Sequence, residues 1–236
     1  MHVYNKKRIF KEAFMDKIKC VDLYEPSGCS IVDSLVFSKE NPWQVLKEIQ
    51  TYIVSLIEKG LEGFTKLDEN VYIGKNVKIA KTATIIGPTI ICDDVEIRPG
   101  AYIRGSVIVG PECVVGNSSE LKNAVLMRHA QVPHYNYVGD SIVGNYAHMG
   151  AGSILSNLKS DGKNIVLHGE EEHETGLRKI GGFLGDHADI GCGSVLNPGT
   201  VIGKNTQVYP LSMLRGIFKE GCIVKSQNNV VKKEVR

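Results

Sequence analysis

The chain has 236 residues, enough for one sizeable domain and a small appendage. Hydrophobic residues at 42% and charged residues at 23% match an ordinary soluble protein. A net charge of +2 supplies no basic field for nucleic acid or an anionic membrane, and no apolar run approaches the roughly 20 residues that cross a bilayer.

The first residues, Met1 to Lys7, lack the apolar stretch and small-residue cleavage site of a signal peptide, so a cytoplasmic location is expected. Cys20, Cys29, Cys92, Cys113, Cys192 and Cys222 lie far apart, without a C-x-x-C, and read as free thiols. Residues 1–40 read as two short strands about a turn at Pro26-Ser27-Gly28. Asn41-Pro42-Trp43 is an N-cap followed by proline at the first helical position. Trp43, Leu46, Ile49, Ile53, Ile57 and Leu61 then form an apolar stripe at helical spacing, stopped at Gly60–Gly63. Residues 1–70 are thus a small α/β appendage, and its helix is expected to cap the open end of the domain that follows.

From residue 71 to 236 the period changes to six. Stepping from Ile73 meets Ile79, Ile85, Ile91, Ile97, Ile103, Val109, Val115, Leu121 and Met127 without a miss. Four residues after each comes a smaller or β-branched side chain, for example Val77, Ala83, Val95, Ala101, Cys113, Ser119 and Val125. The pattern resumes at Val143, Met149 and Leu155, and again from Leu184 to Leu214. Six residues fit neither a 3.6-residue helix nor an alternating strand. They fit a short strand and a tight corner, three per coil, with the aliphatic residue inside and stacked on its equivalent about 4.8 Å above. The fold class is therefore all-β, a parallel β-helix whose nineteen hexads make about six coils. Glycines such as Gly74, Gly110 and Gly116 follow the inward residue, where the chain turns. Residues 128–137 and 156–183 break the period and read as excursions, the usual place for function on a regular solenoid.

Walker, G-x-S-x-G and H-E-x-x-H motifs are absent from the sequence. Four stretches carry a more specific signal: Arg98-Pro99-Gly100, Gly116-Asn117-Ser118-Ser119-Glu120-Leu121-Lys122, His134-Tyr135-Asn136-Tyr137-Val138-Gly139-Asp140-Ser141 and Met149-Gly150-Ala151-Gly152-Ser153-Ile154-Leu155-Ser156-Asn157. In these the chain resembles the acetyltransferase half of bifunctional UDP-N-acetylglucosamine diphosphorylase/glucosamine-1-phosphate N-acetyltransferases, over roughly residues 70–215. The resemblance implies a left-handed coil, acetyl-CoA as co-substrate, an amino-sugar 1-phosphate as acceptor, a homotrimer and no metal. It implies His134 as general base, a role suited to an imidazole with an unperturbed pKa near 6.5. It implies Arg98, Lys122, Tyr137 and Lys163 as the groups holding the sugar phosphate. Glu120 and Asn157 would hold sugar hydroxyls and the amine, with Asn157 near the developing oxyanion.

Departures from the family pattern bear on the substrate. His148 stands in the pocket where the bacterial relatives have Asn, and Asp186 where they have Ser. The 70 residues ahead of the prism are too short for a nucleotidyltransferase domain and lack its G-x-G-x-R loop, so any nucleotidyl transfer is expected from a separate chain. Two other readings compete. One is a non-catalytic β-helix that binds a sugar nucleotide or a partner. The other is a γ-carbonic-anhydrase-like metal enzyme, suggested by the five-residue spacing of His129 and His134.

Overall fold

A computed structural model describes residues 18–233. The solenoid is a three-sided parallel β-helix. Its first side starts with strands Val71–Ile73, Thr89–Ile91 and Val107–Val109, its second with Lys78–Ile79 and Glu96–Ile97, its third with Thr84–Ile85 and Tyr102–Ile103. Parallel pairing stacks eight rungs on the first side, eight on the second and seven on the third. That is nearly eight coils, more than the six expected: the prism runs on past Leu214 through Ile217–Phe218 and Cys222–Ser226, and residues 128–137 are not an excursion. They carry a regular rung, Gln131–His134, paired with Val114–Asn117 below and His148 above.

The hexad frame slips where the expectation went astray. On the third-to-first corner the chain needs five residues from Tyr102 to Val107 but only four from Glu120 to Ala124. Ala124 and Leu126 therefore face the core, while Val125 points outward, as does Met127, which was expected inside. Strands Glu120–Leu126 and Tyr137–Val143 each run unbroken across this corner.

The glycines that directly follow an inward residue, such as Gly74, Gly110 and Gly116, serve close approach rather than a special backbone angle. A Cβ on Gly116 would lie 1.5 Å from the Pro133 carbonyl oxygen of the next coil. The left-handed backbone falls instead on polar positions such as Asn76, Asp94, Asn123 and Asp140 and on other glycines such as Gly100 and Gly152.

The helices do not cap the prism end. They lie against the outer surface of the first side, whose strands are apolar on both faces. Ile90, Ile108, Val125, Ile142, Phe183, Val201 and Ile217 point out from it and are buried against Val32, Leu35, Val36, Trp43, Leu46, Ile49 and Ile53. The predicted helix is real but broken, into Pro42–Val45 and Ile49–Lys59, with the Asn41 main-chain N–H donating to Gln44 Oε1 at 3.0 Å. The two short strands expected before it are, among the described residues, helices Cys20–Leu23 and Ser30–Val36; residues 1–17 lie outside the description. Val32, Leu35 and Val36 are β-branched or apolar at i, i+3, i+4 spacing, and packing on the prism overrides their strand preference. The turn between them holds: Asp33 accepts from the main chain of Ser27 and Gly28.

The prism ends are finished by antiparallel strands, Thr65–Asp68 beside Val71–Ile73 and Asn229–Lys232 beside Cys222–Ser226. The one true excursion, after Leu155, folds into a small hairpin of Val166–His168 and Glu172–Glu174. Ile165, Leu167 and Ile180 fix it to the helical layer and the first side. Among the described residues no helix is long and apolar enough to cross a membrane.

Candidate functional site

On the third side, inward Leu121 and Val138 force Glu120, Lys122, Tyr137 and Gly139 to point out. Glu120 pairs with Tyr137 and Lys122 with Gly139 across adjacent coils. The glycine in Tyr137-Val138-Gly139-Asp140 is a steric need. A Cβ there would sit 2.5 Å from the Tyr137 hydroxyl and 2.9 Å from Asn157 Nδ2, so Gly139 lets the phenol and the carboxamide converge.

Asp140 follows, at the shortened corner with φ near +49°. Its carboxylate is a hub: Oδ1 accepts from Asn123 Nδ2 at 2.9 Å, Oδ2 accepts from Asn157 Nδ2 at 2.6 Å, and Lys122 Nζ lies 3.6 Å from Oδ2. Beside it Arg104 donates to Glu120 Oε1 at 2.6 Å and lies over the Tyr102 ring. The Tyr137 phenol is raised above its ordinary pKa, mainly by burial and then by the charges of Asp140 and Glu120, so it stays a hydroxyl donor at neutral pH.

The neck of the excursion closes on the same corner. Asn157 accepts from the Ile180 main chain, Leu158 bridges to Lys179, and Arg178 Nε donates to the Gly162 carbonyl. Between this neck and the helical layer lies a cleft of about 600 Å³, with Lys47, Arg178 and Lys179 around Asn123 and Asp140. Three cations against one carboxylate make it a place for an anion.

His134 sits at the other edge of the third side, on the second-to-third corner three residues before Tyr137. Its side chain is exposed, while its main chain is held on both sides: the N–H donates to Asn136 Oδ1 at 3.0 Å and the carbonyl accepts from Gly152. Asn136 is buried and donates to the Gly150 carbonyl at 2.8 Å and Ser153 Oγ at 3.1 Å. The H-x-x-Y and G-A-G-S stretches are thus one construction, with a core asparagine tying the His134 corner to the coil above.

Of the residues singled out in the sequence, Glu120, Lys122, Tyr137 and Asn157 share this network. Arg98 is on the His134 corner two coils earlier and bonds Glu96. His148 lies on the second side with Nδ1 2.9 Å from Asp189 Oδ1. Lys163 is exposed on the excursion. His129 and His134 occupy successive corners with a whole side between them, and His129 lies tilted against the Tyr146 ring beside Glu112, so their spacing does not make a ligand pair. Asp186, flagged as a departure, anchors the N-terminal segment: it accepts from the main chains of Glu25 and Asn145 at 2.7 Å each. Sequence reasoning missed Lys47, Arg104, Asn123, Asp140, Arg178 and Lys179 as site residues. Only Asp140 had a signal, inside the quoted motif.

Residues 85–171 match the GMPPB C-terminal domain family. The bifunctional protein GlmU of Methanococcus aeolicus is 31% identical over 191 residues, covering 70% of this chain and 46% of that protein. The bifunctional sugar-1-phosphate nucleotidylyltransferase/acetyltransferase of Sulfurisphaera tokodaii is 30% identical over 176 residues, covering 72% and 43%. The chain is a β-helix relative of the GlmU-like proteins. It spans about half the length of these relatives, matching their C-terminal half. A looser likeness, at 20% identity and a TM-score of 0.37, covers 75% of this chain and 93% of AntD, an N-acyltransferase from Bacillus cereus crystallised with coenzyme A and an amino-dideoxyglucose nucleotide. In this GlmU-like chain the Asp140 hub lies inside the matched segment, and Lys47, Arg178 and Lys179 lie outside it.

Proposed function

We propose that the protein is an acetyltransferase that moves the acetyl group of acetyl-CoA to the amine of an amino-sugar 1-phosphate. The observation that carries this is the convergence of Lys122, Asn123 and Asn157 on Asp140, with Glu120 and Tyr137 on the same face, on the side that begins at the exposed His134, in a relative of proteins named for sugar-1-phosphate nucleotidylyl and acetyl transfer.

Acetyl-CoA supplies the acetyl group as an activated thioester. The residue set suits direct transfer: the network of Glu120, Lys122, Asn123, Tyr137, Asp140 and Asn157 contains no serine or cysteine to carry an acyl group. His134 takes the proton released when the amine attacks. Asn157, oriented by Asp140, offers its carboxamide oxygen to accept from the amine and its remaining Nδ2 hydrogen to the charge that develops on the carbonyl oxygen. Lys122 and the cations of the adjoining cleft hold the phosphate, and Glu120 accepts from sugar hydroxyls. In solution the prisms associate as closed trimers.

Thiol release from acetyl-CoA, followed with a panel of hexosamine 1-phosphates, tests the proposal. His134→Ala is expected to lower turnover by about 10²–10⁴ with sugar-phosphate affinity retained. Binding without thiol release for any hexosamine phosphate would overturn it in favour of a non-catalytic binding protein. Light scattering that returns a 25.9 kDa monomer at micromolar concentration would overturn the trimer.

A further inference from the structure

Outside this site, two thiols from different layers meet. Cys29 starts the helix Ser30–Val36, and Cys92 lies on the outer surface of the first side, just beyond the strand Thr89–Ile91. Their sulfurs are 3.8 Å apart, while 63 residues separate them in the chain. Cys92 is 2% exposed; Cys29 is only partly covered. The geometry points to Cys29 and Cys92 as a peroxide-oxidised thiol pair, whose disulfide would bolt the helical layer to the second coil of the prism.

The surroundings hold the pair in register. Ser27 Oγ accepts from the Cys29 main-chain N–H at 3.1 Å, and Asp33 gathers Ser27 and Gly28 into a tight turn. Arg128, from the prism, donates to the Ser27 carbonyl at 2.6 Å, so the turn carrying Cys29 is fastened to the solenoid. The two sulfurs differ in chemistry. The Cys29 thiol is lowered to about 6, chiefly by the hydrogen bond from Cys92 and then, against the cost of burial, by the main chain of Val32 and Ile31. The same bond and deeper burial push Cys92 well above its ordinary value. At neutral pH the reachable sulfur is the thiolate and the hidden one keeps its proton, the division of labour of an attacking and a resolving cysteine.

The steps balance. The Cys29 thiolate attacks one oxygen of a hydroperoxide, forming an S–O bond as the O–O bond breaks and hydroxide or alkoxide leaves. Cys92 sulfur then displaces the Cys29 hydroxyl, the S–S bond forms, and its proton leaves with the hydroxyl as water. Two thiols lose two electrons, which the peroxide accepts. The other buried thiols have no such arrangement. Cys113 faces the prism core, donates to the Met127 carbonyl and is pushed up by burial.

The experiment treats the full chain with stoichiometric hydrogen peroxide and maps peptides under non-reducing conditions. The expected product is a Cys29–Cys92 cross-link, with free thiols falling from six to four and the thermal midpoint rising until dithiothreitol reverses it. Cys92→Ser should leave Cys29 as a sulfenic acid trapped by dimedone, and Cys29→Ser should leave Cys92 untouched. First oxidation at exposed Cys192, overoxidation of Cys29 in the wild type without a cross-link, or retention of all six thiols would each overturn the assignment. The wild-type peptide map decides it even if a variant fails to fold.

Discussion

Asp140→Asn probes the hub with little disturbance elsewhere. Asparagine tolerates the positive φ of this corner as well as aspartate does, and the shape is unchanged. The side chain is 8% exposed, so water cannot replace a lost partner. The wild-type carboxylate gives one oxygen to Asn123 and the other to Asn157. An amide has one oxygen, so it satisfies one of these and turns an NH₂ toward the other, a donor facing a donor. Lys122 also loses its counter-charge. One charge-assisted bond lost with its donor stranded costs about 2–3 kcal/mol. Urea denaturation should show this against Asp161→Asn, an exposed excursion carboxylate, as control. With Asn157 released, acetyl transfer should fall roughly tenfold to hundredfold in kcat/KM. A stability within about 0.5 kcal/mol of wild type would refute the hub. A destabilised protein with unchanged kcat/KM would refute its part in the site.

Lys122→Ala should raise KM for an amino-sugar 1-phosphate by about ten- to a hundredfold and change little for the unphosphorylated sugar, measured by steady-state thiol release. Phe183→Ala, which empties a fully buried position between the prism and the helical layer, should cost about 3–5 kcal/mol in urea denaturation, well above a surface substitution. Gly116→Ala puts a methyl 1.5 Å from the Pro133 carbonyl oxygen and should cost about 3 kcal/mol or more, or abolish cooperative thermal unfolding. The rate of Cys29 alkylation by iodoacetamide should rise with pH and reach half its plateau near pH 6. Cys92→Ala removes the donor to the thiolate and should move that midpoint up toward 9.0; an unmoved midpoint would show that the bond does not set it.

The period of six, read from residue 73 onward, determined the coil, its three sides and its inward ladder, because a short strand and corner is the local structure that returns an aliphatic residue to the axis at that interval. The helix at 42–59 was legible for a similar local reason, a cap and a stripe. The slip at Asn123 was not. Val125, Leu126 and Met127 are all apolar, so either frame fills the core, and only the pairing of Leu126 with Val109 decides which faces in. Nor could the period tell that the first side is covered, although its apolar triplets, Ile90 between Thr89 and Ile91 or Phe183 between Gly182 and Leu184, are what a strand buried on both faces requires. The site divides in the same way. Glu120, Lys122, Tyr137 and Asn157 could be named from motifs because short strands hold them at fixed offsets. Lys47, Arg178 and Lys179 could not, because they reach the cleft from the break between two helices and from a returning loop, whose docking depends on contacts distant in the chain. The solenoid's geometry repeats and is encoded locally; the cleft exists only where unlike layers meet.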